Sequence, residues 1–117
     1  MAQEIPPELK NQMIQFQQIQ QRLQIHAGQR AQYEAKLREI ESTLEELANA
    51  KEGATIFKSI GTLLIETEDR EAIKKELEEH KETMNIRLQS LKKQEKSLTE
   101  RYQELQKSIS EAIRQPG

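Results

Sequence analysis

His80 follows Glu76, Glu78 and Glu79, and a carboxylate and an imidazole four residues apart share a helix face on which a metal ion could sit. No second histidine joins them, so the run reads as a solvated face of a charged helix. Ser and Thr hydroxyls are scattered along the chain without a histidine placed to act as their base. Gly28, Gly53, Gly61 and Gly117 each stand alone, so there is no glycine-rich cradle for a phosphate. The absence of cysteine excludes disulfide, zinc-thiolate and thiol chemistry. No catalytic residue, metal or cofactor is expected, and the chain does not read as an enzyme.

The one stretch unlike the rest is ATIFKSIGTLLIET, residues 54–67. In extended backbone Ile56, Lys58 and Ile60 point one way and Thr55, Phe57 and Ser59 the other. A returning strand adds Leu63 and Ile65 to the first set and Leu64 to the second, so both faces are partly apolar. Gly61 can take a positive φ in the turn, whereas Ile60 resists one, which argues against a two-residue type I′ turn centred on that pair. An isolated hairpin is marginal in water and its free edges invite other strands. Ile56, Phe57, Ile60, Leu63, Leu64 and Ile65 are therefore expected to make contacts between chains.

Long helices must position this hairpin. Leu9, Phe16, Leu23, Arg30, Leu37 and Leu44 recur every seven residues, and Gln12, Ile19, His26, Tyr33, Ile40 and Leu47 form a second set three residues later. Nine of these twelve a and d positions are apolar, the pattern of a coiled-coil seam. Pro6-Pro7-Glu8 suits a helix start, and Asn49 and Gly53 suit its stop. The second half repeats the pattern with Leu77, Met84, Leu91, Leu98, Leu105 and Ala112, and with Lys74, Lys81, Leu88, Glu95, Tyr102 and Ile109. Thr67 or Asp69 can cap that helix, and Gln115-Pro116-Gly117 can end it.

Each stripe needs a partner, and the other half of the chain is the nearest. Folding back antiparallel near Ile60-Gly61 matches the seams and sets His26 opposite Glu95. The expectation is a mainly α, single-domain chain over 1–117, with helix 8–49, hairpin 54–67 and helix 68–114. Its arms form a two-helix antiparallel coiled coil, each roughly 60 Å long, a rod whose hairpins assemble into an oligomeric β-structured hub. Gly28 lies at an outward position beside the weakest part of the seam, and reads either as a flexible joint or as a tolerated surface glycine.

Composition fits this plan. Hydrophobic residues make up 34% and charged residues 32% of the 117 positions, too little apolar material for an ordinary compact core. A net charge of −2 gives no global field for nucleic acid or acidic membranes. The second helix runs acidic from Glu66 to Glu82, so the basic stripe of a tRNA-binding helical arm is missing. No apolar run approaches the roughly 20 residues of a membrane span. MAQEIPPELK lacks the pattern of a signal peptide, so a cytoplasmic location is expected and a periplasmic tentacled chaperone is disfavoured.

The chain ends are apolar and poor in charge. Ile5, Leu9, Met13, Ile14 and Phe16 meet Ile109, Ala112 and Ile113 there, and Met13 and Ile14 fall outside the seam. Gln12, Gln15, Gln17, Gln18, Gln20, Gln21 and Gln24 surround the few charges. A neutral, adaptable surface of this kind suits weak capture of varied apolar segments. Glutamine is also simply a good helix former, and both readings stand.

Long helix, IFKSIGTLLIE, long helix resembles the β-type subunits of the prefoldin family, over essentially the whole chain. NQMIQFQQIQQRLQ and LKKQEKSLTERYQELQKSI add to the likeness, and the single hairpin separates it from the two-hairpin α type. The resemblance implies a chaperone hexamer of two α-type and four β-type subunits, of archaeal type. Its hairpins build β-barrels, and its coiled-coil tips hold unfolded polypeptides without ATP and deliver them to a group II chaperonin. Carried over, Leu9, Met13, Phe16, Ile109 and Ile113 would face the client, and Lys107 and Arg114 an acidic chaperonin surface. The alternative from a different class is a structural or adaptor coiled-coil dimer, which leaves the hairpin unexplained.

Overall fold

The computed structural model describes residues 4–114; the expected helix stop at Gln115-Pro116-Gly117 lies outside them. The chain is mainly α. A first helix α1 spans Pro7–Asn49, strands β1 (Ile56–Ile60) and β2 (Leu63–Thr67) form an antiparallel hairpin, and a second helix α2 spans Arg70–Arg114.

The termini of the helices have identifiable causes. Pro7 is the first helical residue, where its missing N–H removes a donor that would have no helical partner, and the Pro6 carbonyl accepts from Lys10 N–H at 3.1 Å. Glu8 sits in that first turn, where the positive end of the helix dipole favours it. At the start of α2 the Asp69 carboxylate accepts from Ala72 N–H at 3.0 Å, the geometry of an N-cap. Thr67 Oγ1 in turn accepts from Asp69 N–H at 3.2 Å. Of the two candidate caps, Asp69 holds the helix and Thr67 holds the cap.

The residues separate into two compact units, the described residues up to Ala31 with those from Gln89 onward, and Gln32–Leu88. In the second unit Leu37, Ile40, Met84 and Leu88 form a buried cluster, with Tyr33, Leu44 and Leu77 packed against it. In the first, Ile19, Leu91 and Leu105 are buried. All of these are seam positions, so in each unit α1 and α2 bury their a and d stripes against one another. Phe16 and Tyr102 stack at a centroid distance of 4.5 Å. The Glu95 carboxylate pairs with Arg30 at 3.2 Å, one turn beyond His26. His26 Nδ1 is buried and makes no hydrogen bond within the chain. Arg30 reaches the carboxylate on a long, permanently charged side chain.

Helix α1 runs unbroken through Gly28, and a Cβ built there meets nothing within 4 Å. Gly28→Ala should raise the thermal midpoint, because an exposed helical glycine costs about 1 kcal/mol against alanine. Ile40→Ala, at a site only 3% exposed, should instead lose roughly 2–4 kcal/mol in urea unfolding followed by helical circular dichroism.

Candidate functional site

Two surfaces gather most of the apolar side chains that the helix seam leaves uncovered. The first is the hairpin. Its register pairs Ile56 with Thr67, Lys58 with Ile65 and Ile60 with Leu63, alternating with Phe57 opposite Glu66 and Ser59 opposite Leu64. One face thus carries Ile56, Ile60, Leu63 and Ile65 about Lys58, and the other Phe57 and Leu64. The turn lies one residue beyond the fold-back point expected at Ile60-Gly61. Ile60 and Leu63 pair directly, leaving Gly61 and Thr62 as the two-residue loop. Gly61 has φ +58° and among the described residues no other residue type has positive φ. Positive φ at the first central position alone is the type II′ pattern, which spares Thr62 the positive φ that a I′ turn would impose on it.

Phe57 is 58%, Leu63 63% and Leu64 72% exposed within the single chain. Ile60 and Ile65 are also exposed, and Ile56, at the base, is half-buried. The sheet has only these two strands, so both outer edges keep unpaired backbone groups.

Two basic residues tie this hairpin down. Lys58 Nζ lies 2.8 Å from Glu76 Oε2 and 2.9 Å from Oε1, joining β1 to α2. Arg70, the first residue of α2, donates to the carbonyls of Ala50 at 3.0 Å and Lys51 at 2.8 Å. Helix α1 has no basic residue in its last turn, and Arg70 supplies from across the loop the cation that the negative end of that helix favours. The Lys51 carbonyl also accepts from Ala54 N–H at 3.0 Å, closing a turn in which Gly53 takes φ +84°. Nothing in the sequence spacing marks Arg70 for this role, because its partners are backbone atoms far along the chain.

The second surface is a groove of about 520 Å³ where the start of α1 meets the end of α2. Met13, Ile14, Phe16 and Ile109 form its apolar wall, and Gln17, Gln20, Gln106 and Ser110 its polar one. Met13, Phe16 and Ile109 are brought together there, whereas Leu9 and Ile113 do not line it. Ile113 is exposed and Leu9 half-buried. Phe16 has a second role, since one face of its ring is committed to Tyr102. Close by, Arg101 donates to the Gln15 side chain at 3.2 Å. The amides on the polar wall were legible only as a glutamine-rich composition, since residues flanking a seam carry no period of their own.

His80 lies on the exposed side of α2, and among the described residues no three histidine or acidic side chains are gathered to hold a metal ion. No described helix is long and apolar enough to cross a membrane.

The prefoldin subunit family model matches residues 10–115, which include both helices' seams and the whole hairpin. The chain belongs to the prefoldin subunit family. It is 40% identical over 113 residues to prefoldin subunit beta of Methanosarcina acetivorans, covering 97% of this chain and 96% of the relative. To prefoldin subunit beta of Archaeoglobus fulgidus it is 42% identical over 110 residues, 94% of each chain. The crystal structure of the prefoldin beta subunit from Thermococcus strain KS-1 superposes with a TM-score of 0.87 at 34% identity, covering 98% of this chain and 100% of that one. The likeness is thus to archaeal β-type subunits along the full length, and the family's coarse role follows: a chaperone subunit that acts together with other prefoldin subunits.

Arg70→Ala should leave the Ala50 and Lys51 carbonyls without their charged donor and cost about 1–2 kcal/mol. Amide exchange at the end of α1 and in the hairpin should quicken accordingly. Lys58→Ala, which removes an exposed ion pair, should cost under about 1 kcal/mol.

Proposed function

We propose that this chain is the β-type subunit of a prefoldin hexamer, two α-type with four β-type subunits, that captures unfolded polypeptides and passes them to a group II chaperonin. Capture requires neither ATP nor a catalytic step, and takes place in the cytoplasm. The observation that carries this reading is the division of uncovered apolar side chains between the hairpin and the terminal groove.

The hairpin is the assembly surface. Ile56, Phe57, Ile60, Leu63, Leu64 and Ile65 expose more apolar area on one small sheet than water tolerates without a partner, and the free strand edges supply backbone pairing for neighbouring hairpins. A closed barrel built from several such hairpins removes those edges. The terminal groove is the client surface. Met13, Phe16 and Ile109, flanked by Leu9 and Ile113, offer contact without a deep pocket, so binding is broad and weak enough for release. Methionine adds an adaptable, polarisable contact. Lys107 and Arg114, on the last turns of α2, are available to an acidic chaperonin surface. An adaptor dimer would use the same helix seam but leaves the composition of the hairpin without a purpose.

Phe57→Asp with Leu64→Asp should abolish hexamer formation with the α-type subunit in native mass spectrometry while helical circular dichroism is retained. An intact hexamer from that variant would refute the assembly surface. Met13→Ser with Ile109→Ser should leave the hexamer whole and weaken suppression of client aggregation several-fold. Unchanged suppression would remove the terminal groove from client binding. A homodimer as the sole assembly, with no suppression at all, would favour the adaptor.

A further inference from the structure

Residues 11–33 of α1 contain two charged side chains, Arg22 and Arg30, and Arg30 is engaged by Glu95. The equally long stretch 92–114 of α2 contains ten. Helix propensity does not account for the difference, because Glu and Lys are as good helix formers as Gln. Nor does solubility, which charge would serve better. An exposed helix that forgoes charge along one segment has a surface from which water is removed in use, since desolvating an unpaired charge is costly.

The uncharged face has a defined layout. Ile14 and Ile25 are 54% and 61% exposed, and at 100° per residue they lie about 20° apart around the helix. Gln18 and Gln21, both exposed, fall between them on the same face. Ile14 is also part of the wall of the terminal groove, so the strip continues the groove along the outside of α1. We infer that this strip, from Ile14 to Ile25, is a second holding surface for the client, one that takes an extended, uncharged segment of an unfolded chain. The inference rests on the terminal groove being the client site, and extends that site away from the seam.

The chemistry of the strip selects that occupant. Two separate apolar anchors among amides are too little for the apolar core of a permanent subunit contact. An unfolded segment brings unpaired backbone N–H and C=O groups, and each glutamine amide can both donate to and accept from them. Ile14 and Ile25 are about 16 Å apart along the axis, the span of about five residues of extended chain. An extended segment long enough to cover that span would reach both anchors with apolar residues an even number of positions apart, which share one face, while its backbone crosses Gln18 and Gln21. With charge almost absent, holding along the strip should be insensitive to salt.

The test uses the hexamer assembled with its α-type subunit and, as probe, reduced and alkylated α-lactalbumin bearing a fluorophore. Gln21→Glu with Ile25→Glu should weaken binding about tenfold and make the remainder salt-dependent, with the hexamer intact. Ile86→Glu, at an exposed isoleucine of α2 (63%), is the control and should leave binding unchanged. Unaltered binding in the Gln21/Ile25 variant beside weakened binding in Met13→Ser with Ile109→Ser overturns the strip and leaves the groove standing. Unaltered binding in both overturns the groove and the strip together. Equal weakening by Ile86→Glu also overturns it, since any added carboxylate would then suffice.

Discussion

Burial of one narrow apolar stripe against another is the interaction on which the rest of this chain depends. Every buried residue is an a or d position, and no polar side chain is buried with them among the described residues. A seam two residues wide satisfies itself with one partner, so each helix has the other's face and needs nothing further along that line. The consequence is that any apolar residue outside the seam has no use inside the chain. Phe57, Leu63 and Leu64 on the hairpin, and Met13, Ile14 and Ile25 on α1, are therefore exposed because the fold has no second layer to cover them. In a globular domain such residues would be absorbed into a core; here they are surface by construction.

That economy also explains how much could be read from the residues alone. Heptads announce themselves, because a period of seven carries through dozens of residues, and Leu37, Ile40, Met84 and Leu88 are buried where that period puts them. The alternation of the hairpin was equally legible, since one register is compatible with apolar groups on both faces. The turn was misplaced by one residue. Strand pairing centres it on Gly61-Thr62 and makes Gly61 the first central residue. Arg70 and the Lys58–Glu76 pair were not legible at all. A guanidinium that meets two backbone carbonyls 19 and 20 residues earlier leaves no periodic trace, and its position follows only once the loop has closed. His26 shows the same limit from the other side. Heptad geometry placed it opposite Glu95, yet the carboxylate belongs to Arg30, because reach and permanent charge decide an ion pair after the backbone has set the layer.

The two uncovered surfaces differ in how firmly the fold holds them. The hairpin is pinned at its base by Arg70 on the preceding loop, by Lys58 on Glu76 and by the Asp69 cap that starts α2. Those contacts restrict the entry and exit of the strands and leave the faces themselves untouched. Pinning of this kind suits a surface that meets the same partner every time, because a preorganised hairpin has less entropy left to lose on association. The terminal groove is held by the Phe16–Tyr102 stack and the Arg101–Gln15 hydrogen bond, while Met13 in its wall is exposed. On the proposed reading, a methionine in such a wall supplies an adaptable contact for unlike segments.

Charge separates the two functions as sharply as packing does. Around the hairpin Lys58 pairs with Glu76 and Arg70 with the Ala50 and Lys51 carbonyls, so charge there serves the local structure. Along residues 11–33 of α1 that vocabulary is withdrawn, and amides replace it. If unfolded clients are held there as proposed, a carboxylate or ammonium on the surface would favour some segments and repel others, since such clients present no fixed pattern of charge. Removing charge from that helix forfeits the ion pairs that steady an exposed helix, worth about 0.2–0.5 kcal/mol each. What makes the forfeit bearable is the seam behind it, where Ile19, Leu91 and Leu105 are buried. The charged hairpin base and the amide-rich face of α1 thus share one support, a helix pair whose buried seam leaves the residues outside it free of any packing duty.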